Sequence, residues 1–191
     1  MKHARRPLAQ LLRVATLSTL LGMSLAHAAD DYSDITQLLR AGKAQDALAK
    51  ADQRISTNPR DPQLRFLRGV AQADAGKHNE AIVTFTKLTE EYPELPEPYN
   101  NLAVIYASQN QLDKARTALE MAVRNNPSYA AAHENLGDIH ARLAYQSYTK
   151  AQQLEASNPA VKSKLTQLRT LFQPASATAA GAAGKPAASR P

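Results

Sequence analysis

His133-Glu134 is the pair in this chain that most directly suggests chemistry, since His followed by Glu opens the helix of a zinc protease. That motif needs a second His four residues on, so that two imidazoles share one helical face, and position 137 is Gly. His140 shares the face of His133 but sits two turns away, about 10 Å along a helix axis, too far for one tetrahedral ion without further ligands. His78 falls in a predicted turn with no carboxylate pair to tune it. The run Ala179–Lys185 (AAGAAGK) has the small residues and lysine of a phosphate loop. It lacks the loop's first Gly and the hydroxyl residue after Lys, and no strand precedes it. The 191 residues include no Cys, which excludes disulfides, thiolate nucleophiles and Cys-ligated zinc. Glu90, Glu91, Glu94 and Glu97 cluster among Pro93, Pro96 and Pro98; solvated loop charge is the plain reading, contact with a basic partner the functional one. No catalytic set, metal site or cofactor site survives, so the chain is read as a binding protein and not an enzyme.

Charge narrows the partner. Of 23 basic side chains, Lys2, Arg5, Arg6 and Arg13 precede residue 29, and Lys185 and Arg190 follow residue 172. The remaining 17 face 17 acidic ones, so the central region is neutral although the whole chain carries +6. A neutral domain offers no electrostatic footprint for phosphates, and no nucleic-acid partner is expected.

The first 28 residues read as an address. The four cations of Met1–Arg13 precede the apolar run Val14–Leu25, and Ala26-His27-Ala28 places small residues where a signal peptidase cleaves. The run is shorter than the roughly 20 apolar residues of a membrane span. Cleavage after Ala28 and export, to a bacterial periplasm, are expected, with an uncleaved anchor as the alternative.

Positioning comes from a repeat. Gly42, Gly76 and Asn110 recur every 34 residues, as do Ala47, Ala81 and Ala115, then Pro59, Pro93 and Pro127, then Gly69, Ala103 and Gly137. Within one unit, Tyr99, Leu102, Ala103 and Tyr106 fall on one helical face, and Ala115, Leu119 and Ala122 on another. Asn110 between them tolerates the left-handed conformation that ends a helix, and Pro127 closes the unit. Small residues on both stripes allow close approach, so each unit is a helical hairpin.

This pattern resembles the tetratricopeptide repeat. Leu67-Arg68-Gly69, Gly76, Glu80-Ala81, Phe85 and Pro93 carry the likeness in one unit; Tyr99, Leu102-Ala103, Tyr106, Ala115, Leu119, Ala122 and Pro127 carry it in the next. The resemblance implies an all-α, right-handed α-solenoid of about 3.5 hairpins plus a C-terminal capping helix. The expected organisation is a signal peptide over 1–28 and a repeat domain over 29–172. Its units cover about 31–60, 61–95, 96–129 and 130–158, with the capping helix at 159–172. The first unit, led by a short helix near Ser33–Ala41, reads as an N-terminal cap. In the fourth, Ala130–Arg142 stays in phase, but the stripe Ala144, Tyr148, Ala151 and Leu154 arrives five residues early and no turn segment intervenes. One long or sharply kinked helix is expected there. Asn158-Pro159 should open the capping helix, with Val161, Leu165, Leu168, Leu171 and Phe172 as its buried face. Residues 173–191 lack aliphatics larger than Ala and are expected to be a disordered Ala/Pro-rich tail.

The resemblance also implies a concave groove for peptide or protein segments, lined by the first helix of each hairpin. Here it would expose Phe66 and Val70, then Glu97, Asn100, Val104 and Ser108, then Glu134, Asp138 and Arg142. Asn100 and Asn101 could hold a peptide backbone through amide hydrogen bonds worth about 1 kcal/mol each. A subtype of the family grips a C-terminal carboxylate with paired Lys, Arg and Asn; only Asn101 or Asn135 would match, and Ala131 occupies one of the basic places. An extended, partly apolar, neutral-to-basic segment is the expected ligand. The expected role is a periplasmic adaptor for another protein. A chaperone or assembly factor for exported proteins and a cell-wall-associated structural protein are the alternatives, and a homodimer through the solenoid ends stays open.

Overall fold

The computed structural model describes residues 32–172. The segment read as a signal peptide and the Ala/Pro-rich tail lie outside the described residues. Among those described, all regular structure is helical: α1 (residues 32–40), α2 (Ala44–Thr57), α3 (Pro62–Asp74), α4 (His78–Glu91), α5 (Pro96–Ser108), α6 (Leu112–Asn125), α7 (Ala130–Leu154) and α8 (Pro159–Leu171). The chain divides within α7, between Ala132 and His133, into two compact units.

In the first unit α1–α6 pair as three consecutive hairpins. Each turn is made by one member of the first 34-residue series in the left-handed region: Gly42 at φ 70°, Gly76 at 76° and Asn110 at 57°. That geometry lets the next amide reach back across the helix end. Lys43 N donates to Leu38 O at 2.9 Å, Lys77 N to Gln72 O at 2.8 Å and Gln111 N to Tyr106 O at 2.8 Å. The helix terminus thereby satisfies carbonyls that would otherwise lack donors. Between hairpins, Asp61 Oδ1 accepts from the amides of Gln63 (2.9 Å) and Leu64 (3.1 Å), and Pro62 supplies the first helical residue of α3. Successive connections are tied together: Tyr92 Oη donates to Arg60 O at 2.8 Å and Asn125 Nδ2 to Pro93 O at 2.6 Å.

The small-residue series sits where helices cross. Ala47, Ala81 and Ala115 are wholly buried, and Ala103 nearly so. Phe85 on α4, also wholly buried, presses against Gly69 on α3: a Cβ there would lie 2.6 Å from Phe85 Cε1. A buried Phe contributes about 1.5–3 kcal/mol of transfer free energy, and Gly69 creates the space for it. The buried polar pair in this hairpin is satisfied internally, Thr84 Oγ1 donating to Gln72 Oε1 at 2.7 Å. In the first hairpin Ile35, Ala47, Leu48 and Ala51 form a core with Leu64, Leu67 and Ala71 of α3, flanked by Tyr32, Leu38, Leu39 and Ile55.

The second unit holds the rest of α7 and α8. Where the missing turn predicts a long or kinked helix, α7 runs unbroken through 25 residues. Asn158 caps α8, its Oδ1 accepting from Ala160 N (3.1 Å) and Val161 N (3.3 Å), ahead of Pro159. Of the face expected to be buried only Leu165 is; Val161 and Leu168 are half-buried, and Leu171 and Phe172, at the end of the helix, are exposed. Two aromatic–cation pairs join these helices: Lys164 Nζ lies 5.0 Å from the Tyr148 ring centre, and Arg169 Nε donates to Tyr145 Oη at 3.1 Å.

Candidate peptide-binding face

In the first unit α3 and α5 are each flanked by the preceding hairpin's second helix, and the non-consecutive α3 and α5 also approach each other directly. Leading helices of adjacent hairpins therefore share one face. On α5 the apolar residues Leu102, Ala103 and Ile105 point inward. What remains outward is Glu97, Asn101, Val104 and Ser108, spaced i, i+4, i+7 and i+11, a single stripe at helical period. Val104 is 50% exposed, an aliphatic side chain set in a polar stripe. On α3, Phe66 and Val70 are half-buried, one turn apart; the Phe66 ring packs on Phe85 with centroids 5.7 Å apart and a 53° tilt.

The two adjacent asparagines part company. Asn100, expected on the face, is only 8% exposed and is already engaged within the chain. Asn101 is half-buried on the face, and its Nδ2 donates to Glu97 O at 2.9 Å, which anchors the amide along the helix. The amide that can meet a ligand is therefore that of Asn101. Tyr129, absent from the sequence reading, joins this electrostatic environment: burial first, and then the negative charge of Glu97, raise its hydroxyl pKa. The face is mildly acidic at this end.

Glu134, Asn135, Asp138 and Arg142 lie on α7, in the second unit. Glu134, Asp138 and Arg142 follow one another at i, i+4 and i+8; the two carboxylates are exposed, while Asn135 and Arg142 are half-buried and partnered. The residues expected to line one groove thus divide into a first-unit set and an α7 set. Among the described residues no group of three or more His, Asp or Glu is arranged to hold a metal ion. No helix among them is long and apolar enough to cross a membrane.

Hairpins closed by left-handed turns, with small residues at their crossings and an outward stripe on α5, define an α-helical repeat scaffold. Two models of the Tetratricopeptide repeat match, over residues 35–96 and 72–139, together more than half of the 191 residues, and the chain belongs to that family. Heat shock protein STI1 of Saccharomyces cerevisiae is 33% identical over 113 residues, 56% of this chain and 19% of that protein. The chain thus spans about a fifth of that relative's length. The structure resembles TTC0263, a thermophilic TPR protein of Thermus thermophilus, with TM-score 0.57 and 24% identity over 75% of this chain and 82% of the other. It also resembles YrrB, a TPR protein with an unusual peptide-binding site, with TM-score 0.51 and 27% identity over 55% of this chain and 54% of YrrB. Proteins of this family mediate protein–protein interaction and peptide binding, and the fold is in general a non-enzymatic scaffold.

Proposed function

We propose that this protein is an exported adaptor that holds an extended, partly apolar, neutral-to-basic segment of another protein against its leading helices. The observation that carries the reading is the α5 stripe, where exposed Val104 offers an apolar contact between Asn101 and Ser108, with Glu97 at its end and Phe66 and Val70 on neighbouring α3. Such a face can bury aliphatic side chains at about 25 cal/mol per Å² and attract a cation in the same segment. The peptide-binding site of YrrB supports a peptide ligand. The charged start, apolar run and Ala26-His27-Ala28 of the N-terminus support export to a periplasm.

A photo-crosslinker placed at position 104 should capture a defined segment of an envelope protein, and Val104→Asp or Glu97→Lys should weaken its binding by about 1–2 kcal/mol each. Binding of the captured segment that is unchanged in both variants would remove the face from the reading. Mass spectrometry of the secreted form should find Ala29 at the N-terminus. The yeast heat shock relative favours a second reading, a chaperone or assembly factor for exported proteins. That reading requires weak capture of many unfolded segments at position 104 in place of one.

A further inference from the structure

A different part of the first unit has the makings of a second site. The second helices α2 and α4 converge over α3 on a cleft of about 340 Å³. Ile55 and Val83 line it, Val83 being 55% exposed, and neither belongs to the leading-helix face. Arg60, Arg65, Arg68 and Lys87 line the same cleft. Two of these cations are neutralised. Arg65 grips Glu91 with two hydrogen bonds, of 2.6 and 2.8 Å, and Arg68 Nε lies 2.7 Å from Asp52 Oδ1. The other two are not: among the described residues neither Arg60 nor Lys87 makes an ion pair. Both stand close enough to Glu91 to help Arg65 hold its carboxyl below the usual range. A cleft with aliphatic walls and uncompensated positive charge is complementary to a ligand that is both apolar and anionic.

The shape selects among anions. The cleft shares Pro59 and Arg60 with a second, open hollow of about 730 Å³ along the α2–α3 connection, lined also by Asn58, Tyr32 and Asp61, whose carboxylate is taken up by Tyr32 Oη and the amides of Gln63 and Leu64. The trough they form is longer than an inorganic ion requires, and Ile55 and Val83 call for an aliphatic group beside the anion. We propose that this trough docks an acidic, leucine- or valine-bearing polypeptide segment. Carboxylates of the segment meet Arg60 and Lys87, and its aliphatic side chain rests between Ile55 and Val83. The protein would then carry two docking surfaces of opposite charge preference, able to engage two partners at once.

Fluorescence anisotropy on the full chain tests this with three dye-labelled peptides, of alternating Glu and Leu, Gln and Leu, or Lys and Leu. The Glu peptide should bind, the Gln peptide several-fold more weakly, and the Lys peptide not at the trough. The double variant Arg60→Gln/Lys87→Gln, checked for retained helicity by circular dichroism, should weaken the Glu peptide about tenfold and flatten its salt dependence. Val104→Asp, on the other face, should leave it unchanged. Equal binding of the Glu and Gln peptides, indifference to the double variant, loss on Val104→Asp, or single-stranded DNA binding as tightly as the Glu peptide would each overturn the proposal. Since the Val104 variant reports on the leading-helix face alone, failure there and failure here are separate results.

Discussion

Gly69 and Gly137 occupy the same place in the 34-residue series, yet their surroundings are opposite. At Gly69 an added Cβ would run into the Phe85 ring at 2.6 Å; at Gly137 it would meet nothing within 4 Å. The cause lies seven residues downstream. Gly69 is followed at that distance by Gly76, and Ala103 by Asn110, both in the left-handed conformation that turns the chain back. Gly137 is followed by Ala144, the strongest helix former, and α7 continues to Leu154. A glycine is therefore a packing glycine only if a turn brings a second helix over it. The repeat signature specifies crossings, and the turn residue decides whether a crossing forms.

The largest test removes the group that makes the first glycine necessary. Phe85→Ala should cost about 3–5 kcal/mol in urea unfolding, because the ring is wholly buried and also supports Phe66. Gly69→Ala should come next, at about 1–3 kcal/mol, since the methyl group must displace a ring packed on all sides. A neutral Gly69→Ala would mean that Phe85 can swing aside, and the contrast with Gly137 would lose its basis.

Much of this was legible in the sequence because it is written in local chemistry. Gly42, Gly76 and Asn110 marked the turns, Asn158-Pro159 marked the start of α8, and the missing turn segment pointed to one long or sharply kinked helix, of which α7 is the unbroken form. The first helix, expected near Ser33–Ala41, occupies 32–40, a shift within ordinary fraying. The face was less legible. Asn100 and Asn101 are neighbours about 100° apart on one helix, so periodicity assigns them to the border of a stripe, and packing decides which is buried. The trough was not legible at all: Ile55, Arg60, Arg68 and Lys87 come from three helices and a connection, and no spacing rule links them.

Gly137→Ala should have the opposite sign. With open space at its Cβ and helix on both sides, the substitution should stabilise the C-terminal unit by about 0.5–1 kcal/mol through backbone entropy and helix propensity. Thermal unfolding followed by circular dichroism is sufficient to detect it. Destabilisation would reveal a close neighbour at Gly137 and would make the two glycines alike after all.

The smallest effect separates the units by pH. Asp34 on α1 is desolvated, which alone would raise its pKa, but its bonds to Lys50 Nζ (2.9 Å), Ile35 N (2.8 Å) and Arg54 Nη2 (2.8 Å) outweigh that and lower it. Glu91 on α4 is lowered chiefly by its hydrogen bonds from Arg65. A carboxylate whose pKa is lower folded than unfolded adds stability above the unfolded value, and loses it as pH falls through the folded one. Both groups belong to the first unit. Acidification below about pH 4 should therefore reduce hydrogen-exchange protection in α1–α4 relative to that in α7 and α8. Asp34→Asn should remove the part of the acid response that resides in the first hairpin, leaving α2 less protected at neutral pH and no longer sensitive to the descent. Earlier loss of protection in α7 would show that its stability depends on carboxylates other than these two, and that the turn-less unit, not the hairpin stack, is the acid-sensitive part of the molecule.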